Sequence, residues 1–322
     1  MRFDYLEPKT TEEAIALLTR YGTEAKVIAG GTDLIRGMRQ KLTRLRDVKY
    51  LVDITNIPGW DYVKNDESGL TIGALTTLRN LETSAELRQR CPVISQAAGR
   101  AGSVAMRNVA TLGGNLCQES KCLHYAGIYR WAPEPCHHGG GSVCYAVPGA
   151  KSCQAMATNE LAPALLCLDS LVCISGPAGE RTKRLEDFFI EPGALALSNT
   201  EILTGIKIPV LPTSMRQVYL KYSYTGTLNI PVVGVAAVIT ISEGVCSDAK
   251  IALLGAATTP LRAQKAEKIL RGERVSGSTI DRCSKVAAEE VRPVSDGRAS
   301  AQYRRAMIKT FTKRALTQAA AL

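Results

Sequence analysis

From Gly113 to about Asn159 the chain loses all hydrophobic periodicity, and this interruption constrains its fold more than any other feature. Gly, Pro, Cys and His dominate the stretch, with Tyr125, Tyr129, Trp131 and Tyr145 among them. So long a structureless segment inside a compact protein usually has a function of its own. It holds Cys117, Cys122, Cys136, Cys144 and Cys153, together with His124, His137 and His138, the only histidines of the chain. The run "PCHHGGGSVC" therefore reads either as part of a metal or cluster site or as a flexible loop with incidental cysteines.

Regular patterns return on both sides. Upstream, "TTEEAIALLTRYG" predicts a helix, with Thr10 and Glu13 as a capping box, an Ile15, Leu17 and Leu18 stripe, and Gly22 as the stop. "KVIAGG", "KYLVDIT" and "GLTIGAL" predict strands, and "LRNLETSAELRQR" and "VISQAAGRAGS" predict helices. Downstream, "APALLCLDSLVCI" is a buried pattern and "TEILTGIKIPV" a strand. From about residue 214, "RQVYLKYSY", "PVVGVAAVITI" and "SDAKIALLGAA" predict three strands. Three helices follow in "LRAQKAEKILRG", "IDRCSKVAAEEV" and "SAQYRRAMIKTFTKRALTQAA". Strands followed by helices predict an α+β arrangement. The last helix carries Arg304, Arg305, Lys309, Lys313 and Arg314, either a solvated face or a subunit contact.

At 322 residues the chain is long enough for two domains. No apolar run is long enough to span a bilayer, and the start lacks the features of a secretory signal, so the cytoplasm is the expected location. The net charge of +10 is dispersed and the aromatics, 5% of residues, do not interleave with it. Nucleic acid is a poor fit; an acidic subunit or electron carrier fits better. Ten cysteines in a cytoplasmic protein point to buried, catalytic or metal-bound thiols rather than disulfides. Cys91, Cys167, Cys173, Cys246 and Cys283 are scattered, and the default for such thiols is burial.

Two glycine pairs stand out. "IAGGTDL" sets Gly30 and Gly31 after a strand and before Thr32 and Asp33; "TLGGN" repeats a hydroxyl, two glycines and an amide from Thr111 to Asn115. Paired glycines let a backbone approach a ligand closely and aim N–H groups at an anion. Neither is a Walker loop or a Rossmann fingerprint. Each alone is compatible with a plain turn; together they suit a nucleotide diphosphate.

The set "IAGGTDL", "TIGALTTLRNLE", "RNVATLGGNLC", "TEILTGIKIP", "PLRAQKAEKILRG" and "DGRASAQYRRAMIKTFTKRAL" resembles, in order, the FAD-binding medium subunits of the molybdenum hydroxylases, the xanthine dehydrogenase and carbon monoxide dehydrogenase superfamily. The resemblance implies a two-part FAD-binding domain over 1–213, with an inserted loop at 117–158, and a C-terminal domain over 214–322. It implies FAD held by Ala29, Gly30, Gly31, Thr32 and Asp33 on one side and by Thr111, Gly113, Gly114 and Asn115 on the other. Glu160 falls where the family usually carries an Asp that contacts FAD; Leu203 and Lys221 match positions near the flavin. Most members lack the insertion. "KCLHYAGIYRW", "PCHHGGGSVC" and "GAKSCQAM" are similar to the β subunits of 4-hydroxybenzoyl-CoA reductases, which implies a [4Fe-4S] cluster on Cys122, Cys136, Cys144 and Cys153. Cys117 is expected near the flavin instead, and the histidines as hydrogen-bonding groups.

A cubane needs four thiolates and orders an otherwise loose loop. Zinc is the rival, though structural zinc sites favour C-x-x-C pairs, which are absent here. The expected role is electron relay among an external, ferredoxin-like carrier, the cluster, FAD and partner subunits. Those partners are a molybdenum-cofactor large subunit, which holds the substrate, and a small [2Fe-2S] subunit. The resemblance implies reductive dehydroxylation of an aromatic thioester, or, alternatively, oxidation of an aldehyde or N-heterocycle. A stand-alone FAD-binding or redox-sensing protein and a zinc-stabilised binding module are the readings from other classes.

Overall fold

The computed structural model describes residues 2–126, 134–225 and 230–321. Tyr129, Trp131 and the middle of the expected insertion lie outside them. The chain opens with β1 (Asp4–Leu6), α1 (Thr11–Tyr21), β2 (Ala25–Ile28), α2 (Leu34–Arg39) and β3 (Tyr50–Asp53). The strands pair in parallel in the order β1-β3-β2. Helix α1 starts where Thr10 Oγ1 accepts the Glu13 N–H at 3.2 Å. The Glu13 carboxylate takes the Lys9 N–H at 2.6 Å rather than that of the cap residue. Gly22, at φ 52°, ends the helix. Ala14 and Leu18 are buried against Val52 and Ile54.

The next layer is built from β4 (Val63–Asp66), β5 (Gly69–Gly73), α3 (Leu78–Thr83), α4 (Ala85–Arg90), α5 (Pro92–Arg100), α6 (Val104–Arg107), α7 (Leu112–Leu116) and α8 (Ala162–Leu166). It is completed by β6 (Leu171–Gly176), β7 (Gly179–Arg184), β8 (Phe189–Glu191), β9 (Ala194–Leu195) and β10 (Ile202–Ile208). Five strands form an antiparallel sheet in the order β4-β5-β10-β6-β7. The single helix expected over 78–90 is two, because Ser84 Oγ caps a new start by accepting the Leu87 N–H at 3.3 Å. "TLGGN" is likewise no open loop. Thr111 caps α7 by accepting the Gly114 N–H at 3.1 Å.

The C-terminal region begins with β11 (Met215–Tyr222), β12 (Val233–Ser242), β13 (Val245–Leu254) and β14 (Leu261–Arg262). The expected three-stranded sheet therefore has four strands, since the two-residue β14 adds to the edge of β13. α9 (Gln264–Leu270), α10 (Gly277–Glu290) and α11 (Ala301–Ala321) follow. The unbroken apolar run of β12 is that of a strand covered on both faces. Val235, Ala237 and Ile239 face the three helices. Ala236 and Val238 join the core shared with α5 and α8, so both regions are fused through one apolar layer. Arg304 departs from the solvated basic face expected for α11: it is 1% exposed, and its Nη2 donates to both Asp296 carboxylate oxygens at 2.9 Å. No helix among the described residues is long and apolar enough to cross a membrane.

Candidate functional site

The two glycine segments meet back to back. A Cβ on Gly30 would sit 1.8 Å from the Val109 carbonyl oxygen, and Gly31 has φ +66°. Only glycine permits both the approach and the turn. The second segment is laced to the chain after β5: the Leu78 N–H donates to Ala110 O at 2.8 Å, Leu112 N–H to Thr76 O at 2.9 Å and Gly113 N–H to Ala74 O at 2.9 Å. The two segments wall a cavity of about 480 Å³, within the ordinary range for a ligand site.

Of the residues the family likeness brought forward, Ala29, Gly30, Gly31, Thr32, Asp33, Thr111, Gly113, Gly114, Asn115, Glu160 and Leu203 all line this cavity. Lys221 does not; it stands behind Glu160. The Glu160 carboxylate is buried, accepting from the Tyr219 hydroxyl and from Lys221 Nζ at 2.5 Å, while that ammonium also reaches Arg100 O at 2.7 Å. Burial raises the Glu160 carboxyl and lowers the Lys221 ammonium from their ordinary values. Asn115 acts through its amide oxygen, which accepts the Leu161 N–H at 3.0 Å and so fixes the residue next to Glu160.

Four cations on the cavity wall escaped the sequence reading: Lys26, Arg36, Arg44 and Lys121. They come from four separate segments and form no motif. Arg36 alone carried a signal, lying one helical turn after Asp33. The wall thus combines these cations, of which Lys121 pairs with Asp33 and Arg44 lies 3.6 Å from Glu119, with the apolar Leu75, Ile202 and Leu203, a mixed lining that suits a ligand with an anionic part and an apolar ring.

The irregular segment leaves α7 along the rim of this cavity. Asp33 holds it: one carboxylate oxygen accepts the Glu119 N–H at 2.7 Å and the other pairs with Lys121 Nζ. Glu119 in turn meets His138 Nε2 at 2.9 Å and lies 3.6 Å from Arg44. His137 Nε2 meets Ala150 O at 2.9 Å, and His124 stacks on Tyr145. The histidines thus have hydrogen-bonding or stacking roles within the loop.

Cys122, Cys136, Cys144 and Cys153, far apart in sequence, line one small cavity together. The His124 and Tyr125 N–H groups face the Cys122 sulfur and the Ala155 N–H faces that of Cys153. Around Cys136 the backbone closes tightly, its carbonyl accepting from Gly139 at 2.8 Å and Gly141 at 2.9 Å, with Gly140 at φ +90°. Burial raises the Cys122 thiol and brings that of Cys153 to about 11. Among the described residues no three His, Cys, Asp or Glu side chains form a group that could hold a metal ion. The donor set, the common cavity and the N–H groups at sulfur fit an iron–sulfur cluster. Cys117 belongs to the larger cavity instead, its thiol raised to about 12 by burial.

Residues 1–211 match the family described as the FAD binding domain in molybdopterin dehydrogenase, and residues 219–319 the CO dehydrogenase flavoprotein C-terminal domain. The chain is 30% identical to the carbon monoxide dehydrogenase medium chain of Afipia carboxidovorans, the alignment covering 99% of this chain and 97% of that one. It is 29% identical to the 6-hydroxypseudooxynicotine dehydrogenase complex subunit alpha of Paenarthrobacter nicotinovorans, over 98% and 94% of the two chains. A crystal structure of cyanide-inactivated Cu,Mo-CO dehydrogenase superposes with a TM-score of 0.82 at 30% identity, over 100% of this chain and 98% of that one.

Proposed function

Since the chain belongs to the FAD-binding medium subunits of the molybdenum hydroxylases and is the electron-transfer FAD subunit of such a complex, we propose that it relays electrons between FAD and a [4Fe-4S] cluster that it carries itself. The observation that carries the reading is continuity. Glu119 and Lys121 wall the larger cavity, and the next residue, Cys122, lines the four-cysteine cavity.

FAD would be held by the Ala29–Asp33 and Thr111–Asn115 segments, with Glu160 and Leu203 on the cavity wall and Lys221 supporting Glu160. The cluster would be held by Cys122, Cys136, Cys144 and Cys153. When bound, flavin supplies one- and two-electron capacity and the cluster one-electron capacity. The chain would bind both groups through these residues. The expected partners are a molybdenum-cofactor large subunit bearing the substrate site, a small [2Fe-2S] subunit and a ferredoxin-like carrier.

For the substrate, the insertion favours reductive dehydroxylation of 4-hydroxybenzoyl-CoA or a similar aromatic thioester. The names of two other similar chains, a glyceraldehyde dehydrogenase medium chain and a nicotinate dehydrogenase FAD-subunit, favour a second reading in which the complex oxidises an aldehyde or N-heterocycle. The test is oxygen-free purification with FAD, iron and acid-labile sulfide counted per chain. One FAD with about four irons and four sulfides is expected, with a reduced-cluster EPR signal that Cys136→Ser or Cys144→Ser abolishes. FAD without iron sinks the relay and leaves the family assignment standing. Dehydroxylation or oxidation by the purified complex then separates the two substrate readings.

A further inference from the structure

Lys121 and Cys122 lie at a junction of three parts of the molecule. The flavin-cavity wall grips the Lys121 ammonium through Asp33. The segment between α10 and α11 grips its carbonyl: Arg298 Nη2 donates to Lys121 O at 2.6 Å. Arg298 and Cys122 also share the wall of one small cavity with Asp296 and Ala155, so the guanidinium faces the loop at its first cysteine ligand. Arg298 is mostly buried, its side chain 16% exposed. Asp296 anchors this segment, since its Oδ1 accepts the Arg298 N–H at 2.9 Å and the Ala299 N–H at 3.1 Å. The same carboxylate accepts both bonds from the buried Arg304. The Arg298 guanidinium lies 4.0 Å from that carboxylate, so one negative charge stands beside two guanidinium groups. Burial lowers the Arg298 pKa, while Asp296 and the Cys122 sulfur both favour the charged form.

Resting on the cluster reading above, we infer that Arg298 is the residue through which the C-terminal domain sets the reduction potential of the cluster on Cys122. Reduction adds one negative charge to a group enclosed by low-dielectric protein. A fixed positive charge beside one of its thiolates stabilises the reduced form and raises the potential. The hydrogen bond to Lys121 O gives Arg298 a second, separable effect, because it holds the peptide that precedes the ligand. Arg298 is therefore a positioning and charge-setting residue; it touches no substrate.

The two effects part in substitution. Arg298→Gln keeps a donor for the Lys121 carbonyl and loses the charge; Arg298→Lys keeps both. The measurement is an EPR-monitored redox titration of the full chain, purified without oxygen. Arg298→Gln is expected to retain its iron and to make reduction at least tenfold less favourable, a fall of about 59 mV for one electron. Arg298→Lys should titrate near the wild type. An unchanged potential in Arg298→Gln, or an equal fall in Arg298→Lys, overturns the proposal. If Arg298→Gln loses its iron, Asp296→Asn carries the test. Removing that negative charge must raise the potential, and no rise overturns the proposal. A wild-type chain without iron is a different failure, visible in metal analysis before any titration, and it sinks the cluster reading itself.

Discussion

The flavin cavity and the cysteine loop adjoin each other but are held by opposite means. The cavity is fixed by backbone: Gly30 packs on the Val109 carbonyl, and three main-chain hydrogen bonds tie the 110–113 segment to the 74–78 segment. Among its described residues the loop has one short 3₁₀ turn, at His137–Gly139, and side chains from elsewhere hold it. Asp33, Arg44 and Arg298 each reach it from elsewhere in the sequence. Backbone packing is pre-organised without a ligand. A loop clamped by a few polar contacts gains most of its order from what it binds.

The largest expected effect tests whether the cavity side is as rigid as it looks. Glu160→Ala leaves the Lys221 ammonium and the Tyr219 hydroxyl buried without their carboxylate. Breaking a buried pair from one side costs about 3–5 kcal/mol. A large fall in melting temperature with loss of flavin is expected; a melting curve like the wild type's would show that water already reaches the pair. Next come two glycines of similar geometry on opposite sides of the comparison. A Cβ on Gly30 would meet Val109 O at 1.8 Å, and one on Gly141 would meet Pro135 O at 1.7 Å. Gly30→Ala should cost about 3 kcal/mol, the upper end for overpacking. Gly141→Ala should cost less in thermal unfolding, because the loop can yield, and should appear instead as lost iron. Equal melting losses in the two variants would erase the distinction.

The same difference explains what could be read from sequence. The strands and helices around the cavity were legible because hydrophobic period and capping residues are local signals. Thr10 with Glu13 and the apolar run of β12 are examples. The glycine segments were legible because close backbone approach leaves glycine no substitute. The crowding of five cysteines was visible directly, and only the choice of four of them came through family likeness. What escaped was long-range: the Lys26, Arg36, Arg44 and Lys121 side chains on the cavity wall, Arg298 from the far end of the chain, and the burial of Arg304 in a helix that looks solvated. Charged side chains carry no periodic mark of which distant residue they will meet. β14 escaped for another reason, since a two-residue edge strand is too short to show alternation.

Asp33 stands on both sides of the comparison. Asp33→Asn removes the charge paired with Lys121 but keeps an acceptor for the Glu119 N–H. Part of the pair is exposed, so the expected cost is modest, about 1 kcal/mol. The informative readout is the joint loss of the two groups. If the flavin wall and the loop are coupled through this residue, the variant should release flavin and iron at the same denaturant concentration or temperature. Iron lost well before flavin would place the coupling elsewhere.

The smallest effect is a control on the cavity side. Glu201 lies on the cavity wall and takes two hydrogen bonds from Arg181, at 2.6 and 2.9 Å. That guanidinium outweighs partial burial and, with the Ser198 N–H, draws the carboxyl from 4.5 to about 2. A carboxyl with a lowered folded-state pKa stabilises the protein fully above its unfolded value, and that stabilisation fades as the pH falls. The wild type should therefore lose melting temperature progressively from pH 4.5 down toward 2. Glu201→Gln should start lower at neutral pH and fall less over the same window. The side chain of Arg181 is 41% exposed, so the difference should shrink in high salt. A Glu201→Gln curve parallel to that of the wild type would mean that this pair is solvated in solution. Acid sensitivity would then have to arise from carboxylates such as Glu119, on the loop side of the comparison.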